Sequence, residues 1–169
     1  MYLCYLDASK AFDRVNHWKL FDKLLERGMN AKLAKLLLEW YCTQLFHVKW
    51  GSVISGGFNV TNGVRQGGIL SPFLFNMYID SLSPALDSTG VGCRYLGSMN
   101  HIAYADDVIL LSPSPYGLQI LLNTCEHFAA EHDIVYNTKK TVCMFVRPRG
   151  LKDLRSTSVL TVRYDIDGC

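Results

Sequence analysis

The chain has 169 residues, of which 49% are apolar and 19% charged, and its formal net charge is +2. This length suits a single domain with a real core, and the composition excludes a disordered chain, a coiled coil or a collagen-like fibre. No window approaches about 18 apolar residues and no basic, apolar, cleavable leader opens the chain, so neither a membrane span nor a signal peptide is expected, and an intracellular protein follows.

Tyr2 to Asp7 alternates as a strand, with Leu3, Tyr5 and Asp7 on one face and Tyr2, Cys4 and Leu6 on the other. Asn16 is placed to cap a helix whose apolar stripe is Leu20, Phe21, Leu24 and Leu25, and Gly28 to stop it. A second helix, capped by Asn30, should turn Leu33, Leu36, Leu37, Trp40 and Tyr41 inward. From His47 to Val64, short β-prone runs broken by glycines read as a hairpin or a pair of short strands. Ser71-Pro72 reads as a cap followed by proline at the first helical position, and the apolar stretch Phe73 to Leu82 predicts a buried helix. Asn76 within it reads as pocket support or as a partner for a buried backbone group. Residues 91 to 111 read as two strands meeting at Tyr104-Ala105-Asp106-Asp107. Ser114-Pro115 opens a helix with the stripe Leu118, Leu121, Leu122, Cys125, Phe128, Ala129 and His132, and Thr141 to Val146 makes a closing strand. The sum is an α+β fold with helices packed on one face of an antiparallel sheet.

Charge is segregated along this order. No Lys or Arg occurs between Arg94 and Lys139, whereas seven of the seventeen lie from Lys139 to Arg163. A basic stretch beside an acidic centre suits a polyanion held by metal at one end and by phosphate contacts at the other, and equally suits a solvated tail. The six cysteines form no C-x-x-C pair and no zinc-spaced Cys/His cluster, and are expected as reduced, mostly core residues.

Asp7 closes one apolar strand, and Asp106-Asp107 stand just before the apolar run Val108 to Leu111. Carboxylates near a core cost several kcal/mol or shift their protonation unless a cation meets them, and no neighbouring Lys or Arg in the sequence supplies one. A divalent metal with hard oxygen ligands, Mg²⁺, answers that need, while a plain hairpin turn answers the Asp-Asp dipeptide.

Three blocks in order change the weighing: Asp7-Ala-Ser-Lys-Ala-Phe-Asp13, Gly63-Val-Arg-Gln-Gly-Gly-Ile-Leu-Ser-Pro72 and Tyr104-Ala-Asp-Asp107, with Asn137-Thr-Lys-Lys-Thr141 as a fourth. Together, over roughly residues 2 to 146, they resemble the palm of reverse transcriptases. Lys10-Ala-Phe-Asp-Arg-Val-Asn-His17 and Arg65-Gln-Gly look most like the enzymes of non-LTR retrotransposons, with group II intron and other retroelement polymerases as near relatives. The resemblance implies a polymerase palm with a ferredoxin-like antiparallel sheet over residues 1–146, including finger-side helices and a hairpin at about 17–64, followed by a basic tail over 147–169.

It further implies an RNA-directed DNA polymerase that joins a deoxynucleoside triphosphate to a DNA primer on an RNA template, in the nucleus or cytoplasm. Asp7 and Asp106 would be the principal ligands of two Mg²⁺ ions with Asp107 beside them in a supporting role, Lys140 would stand near the leaving phosphate with Lys139 as its rival, and Phe12 would be a steric gate against ribonucleotides. Arg65, Gln66 and Gly67 would line the nucleotide pocket, and Asp13 would be the first block's second aspartate or a polar residue ahead of the Asn16 cap. By charge alone, Arg147, Arg149, Lys152 and Arg155 of the tail are the residues through which even a non-catalytic fragment would bind nucleic acid weakly. The family's finger motifs would precede residue 1, and its primer grip and thumb would follow about where Ser156 begins, so the chain is expected as a palm-centred piece. A non-catalytic fragment with weak nucleic-acid binding is the alternative. A two-metal nuclease shares the carboxylates but has no use for Phe12 and the Arg65-Gln-Gly block.

Overall fold

A computed structural model describes residues 1–94 and 98–146. In chain order the elements are β1 (Tyr2–Asp7), a 3-10 turn (Ala11–Arg14), α1 (His17–Glu26), α2 (Ala31–Cys42), β2 (Leu45–Phe46), β3 (Lys49–Trp50), β4 (Val53–Ile54), β5 (Phe58–Asn59), α3 (Ser71–Ile79) and α4 (Leu82–Ser88). They continue with β6 (Cys93–Arg94), β7 (Ser98–Met99), β8 (His101–Tyr104), β9 (Asp107–Ser112), α5 (Pro115–Glu131) and β10 (Val142–Phe145). The chain divides into two compact units, one of Met1–Ser9 with Asp80–Cys169 and one of Lys10–Ile79.

The first unit is built on a four-stranded sheet in the order β10-β1-β9-β8, every neighbouring pair antiparallel. With α4 ahead of the β8–β9 hairpin and α5 ahead of β10, this is the β-α-β-β-α-β arrangement of ferredoxin-like folds. The period of two decides which side is covered. Cys4 and Leu6 on β1, with Val108 and Leu110 opposite them on β9, are buried, and α5 packs there through Leu118, Leu121, Leu122, Cys125 and Phe128. Ser114 starts α5 as the sequence predicts, its side chain accepting from the Gly117 amide at 3.0 Å, and α4 packs against α5. The other face of the sheet carries Tyr5, Asp7, Asp107, Ile102, Tyr104 and Met144, half-buried or exposed.

In the second unit α1 packs on α2 and α3, with the rings of His17 and Phe21 edge-on to Tyr41. Asn16 and Asn30 cap α1 and α2 as expected, and Gly28, at φ +85°, follows the end of α1. The expected hairpin forms as two nested pairs, β2 with β5 and β3 with β4.

Three inward assignments differ from the sequence reading. On α2 only Ala34 and Tyr41 are buried, while Leu33, Leu36 and Trp40 are exposed, because nothing among the described residues covers that stripe. On α1 the stripe ends at Leu24, and Leu25 is exposed. Helix α3 buries one side, through Leu74, Phe75 and Tyr78, and leaves Phe73 and Asn76 exposed. Ser71 opens α3 without capping it, since its hydroxyl donates back to the Arg65 carbonyl. No helix among the described residues is long and apolar enough to cross a membrane.

Candidate active site

Alternation along β1 puts Asp7 on the open face of the sheet, and the β1–β9 register sets it directly opposite Asp107. Such partners have Cα atoms about 4.5–5.5 Å apart, so the two carboxylates share one patch at the strand ends. Asp106 precedes Asp107 in the tight turn after Tyr104, and Ala105 in that turn holds φ at +52°. A left-handed alanine costs about 1–3 kcal/mol, strain of the kind found where a turn must aim functional groups.

Two partners fix the carboxylates. The Tyr5 hydroxyl, two residues before Asp7 on the same face, donates to Asp107 Oδ1 at 2.5 Å, and this bond pushes the phenol up to about 12. Lys140 Nζ lies 3.5 Å from Asp7 Oδ2. The lysine is brought there by a turn anchored to β1 itself: the Asn137 amide donates to the Asp7 carbonyl at 2.8 Å, and the Lys140 amide donates to the Asn137 carbonyl at 3.0 Å. Of the two adjacent lysines, Lys140 therefore meets Asp7, while the Lys139 amide bonds the Asn137 side chain at 3.1 Å.

This corrects the burial argument for a metal. Asp107 is exposed and Asp106 half-exposed, and the cation absent from the local sequence arrives from the turn before β10. Among the described residues no group of three or more His, Cys, Asp or Glu side chains is gathered for a metal. The donor chemistry still fits Mg²⁺, which takes one or two carboxylates and completes its shell with water and substrate phosphates; Asp7, Asp107 opposite it and Asp106 in the adjoining turn are the carboxylates that would hold it.

In the second unit, Phe12 is half-buried and stacks on the buried Phe75 ring, centroids 4.6 Å apart and planes 14° from parallel. The segment after it is tied to the Arg65-Gln66 block by backbone bonds from Gly63 to Val15 (2.7 Å) and from Val64 to Phe12 (2.8 Å). Gly63 is required there, because its φ is +91° and an added Cβ would lie 2.9 Å from both Asp13 Cα and its carbonyl oxygen. The Gln66 amide donates to Asp13 Oδ1 at 2.9 Å, which gives Asp13 a definite partner. Arg65 lies over the Phe46 ring, 5.4 Å from its centroid, beside a cleft of about 380 Å³ that Asp13, Gln44, Phe46, Asn62 and Gln66 also line. Gly67, exposed at φ +79°, leaves open space where a side chain would stand. Arg147, Arg149, Lys152 and Arg155 lie outside the described residues.

Tyr5, Gln44, Phe46 and Asn62 were not singled out by the sequence. Tyr5 carried a usable signal, since period two places it on the face of Asp7. The cleft residues carried none, because their meeting depends on how the hairpin folds back.

Most of the chain has counterparts among solved structures. The telomerase of Candida tropicalis, solved with a fragment of telomeric RNA, superposes with a TM-score of 0.64 at 14% identity, over 85% of this chain and 26% of that one. The Candida albicans telomerase does so at 0.59 and 16%, over 89% and 27%. In sequence, the Pol polyprotein of the Drosophila melanogaster retrotransposable element R2DM is 33% identical over 153 residues, and the RNA-directed DNA polymerase of the transposon X-element from the same fly is 33% identical over 127. These matches cover 88% and 75% of this chain but only 14% and 12% of the relatives. The family model described as reverse transcriptase (RNA-dependent DNA polymerase) matches residues 1–164. With its ferredoxin-like sheet, its aspartates at the strand ends and a match over nearly its whole length, the chain belongs to the reverse transcriptase family, and its relatives are the polyproteins of non-LTR retrotransposons.

Proposed function

We propose that this palm extends a DNA primer on an RNA template by nucleotidyl transfer from a deoxynucleoside triphosphate, with two Mg²⁺ ions held by Asp7, Asp106 and Asp107. The observation that supports it is the pairing of Asp7 with Asp107 at the open ends of β1 and β9. Bound there, the ions would lower the pKa of the primer 3′-hydroxyl and stabilise the leaving pyrophosphate. Tyr5 keeps Asp107 in one orientation by its hydrogen bond, so that the carboxylate needs no reordering when a cation arrives. Lys140 compensates Asp7 and stands ready to give a proton or a charge-assisted hydrogen bond to the departing phosphate. Phe12, immobilised on Phe75, excludes a ribose 2′-hydroxyl, while Arg65, Gln66 and the open backbone at Gly67 receive the nucleotide. Arg147, Arg149, Lys152 and Arg155 add charge for the phosphate backbone of the template and primer.

The test is Mg²⁺-dependent extension of a DNA primer on RNA by the native protein. Asp7→Asn and Asp106→Asn should each lower the rate by roughly a hundredfold or more, the scale on which lost electrostatic stabilisation is felt, and Asp107→Asn by less. Phe12→Ala should raise the share of ribonucleotides incorporated. Extension that survives Asp7→Asn or Asp106→Asn at full rate would remove the carboxylates from the mechanism.

A further inference from the structure

The covered face of β1 holds a second pair of register partners. Cys4 lies opposite Cys143 of the edge strand β10, their sulfurs 2.9 Å apart, and both are free thiols. Facing residues on antiparallel strands have Cα atoms about 4.5–5.5 Å apart, inside the 4.4–6.8 Å that a disulfide spans, so the bond needs no rearrangement of the sheet. The two thiols are unequal. Cys4 is fully buried, whereas Cys143 is 8% exposed on a four-residue strand that has no neighbour on its outer side among the described residues. The hydrogen bond between them lowers the Cys143 thiol from its ordinary value and raises that of Cys4. A third thiol, Cys125 of α5, is held at about 12 by burial and stays protonated.

We propose that Cys4 and Cys143 form a peroxide-sensitive modification site that closes into a cross-strand disulfide, clamping β10 to β1. In the first step the Cys143 thiolate sulfur attacks one oxygen of hydrogen peroxide and the O–O bond breaks. The departing hydroxide takes a proton to become water, and the sulfur is oxidised to a sulfenic acid. In the second step the Cys4 sulfur attacks that sulfur and the S–O bond breaks. The departing hydroxide accepts the Cys4 proton as a second water, so two thiols and one peroxide give one disulfide and two waters. The clamp joins residues 139 apart in the chain and holds the strand that follows the Lys140 turn against the strand that ends in Asp7. It does not depend on the polymerase reading and stands or falls separately.

The experiment treats the full chain with hydrogen peroxide, alkylates the remaining thiols and maps peptides by mass. The expected product is a Cys4–Cys143 cross-link, two hydrogens lighter and reversed by dithiothreitol, with a melting temperature several degrees higher because so long a loop is closed. Cys143→Ser abolishes both effects and Cys125→Ser leaves both. The wild-type map alone decides the matter if a variant does not fold. Peroxide that leaves Cys4 open to alkylation, or that joins Cys125 to either residue, overturns the proposal.

Discussion

The two units spend their apolar residues differently. In the sheet unit the covered face is closed by a full second layer, so that Leu6, Leu110, Leu118 and Leu121 lose essentially all contact with water. The inserted unit buries a smaller set around Leu20, Leu24, Leu74 and Phe75 and leaves Leu36 61% and Trp50 85% exposed. Hydrophobic periodicity is stronger in α2 than in α5, yet only α5 has a sheet beneath its stripe. A periodic stripe thus tells which residues share a side of a helix, and the presence of a covering layer decides whether that side is core.

Truncation should separate the units most sharply. Leu121→Ala, at a fully buried position, is expected to cost about 2–5 kcal/mol, and Leu36→Ala to stay within about 0.5 kcal/mol, measured as urea midpoints by circular dichroism. A Leu36→Ala loss as large as that at Leu121 would show that the α2 stripe is covered in solution. Gly63→Ala probes the inserted unit where it is tightly built. With a positive φ and a Cβ driven onto the Asp13 backbone, it should cost about 1–3 kcal/mol or more and speed hydrogen exchange of the Gly63 and Val64 amides. Unchanged exchange there would mean that the loop relaxes without losing its pairing to Phe12 and Val15. Lys140→Met should also have a small effect. Its partner Asp7 is mostly shielded but the ammonium is exposed, so stability should shift by less than about 1 kcal/mol, and a larger loss would make the pair a structural element of the sheet.

Most of the sheet unit was legible because its signals are local: alternation in β1, the Tyr104-to-Asp107 turn, the Ser114 cap and the stripe of α5 are each written in one short stretch of sequence. The aspartates were found the same way, each from its own strand end. Their partners were not. Lys140 meets Asp7 through a turn bonded to β1, and Tyr5 reaches Asp107 along a diagonal of the β1–β9 ladder, both contacts between residues more than a hundred positions apart. The exposed leucines of α2 were misplaced for the opposite reason, a clear local pattern with no layer to cover it.

The position of β1 in the sheet has a consequence for how the chain acquires its shape. β1 is made before both its neighbours and becomes a central strand, since those neighbours are β9 and β10, which follow about a hundred residues and more later. During synthesis the intervening Lys10–Ile79 unit has all its own contacts available while β1 has none of its ladder. Closing a loop of that length before any bond is gained makes the pairing slow, and a bare apolar strand in the meantime invites association with other chains. The strand that carries Asp7 therefore leaves the ribosome well ahead of both its ladder partners and waits for them, and chaperone demand should concentrate on the interval before β9 and β10 emerge.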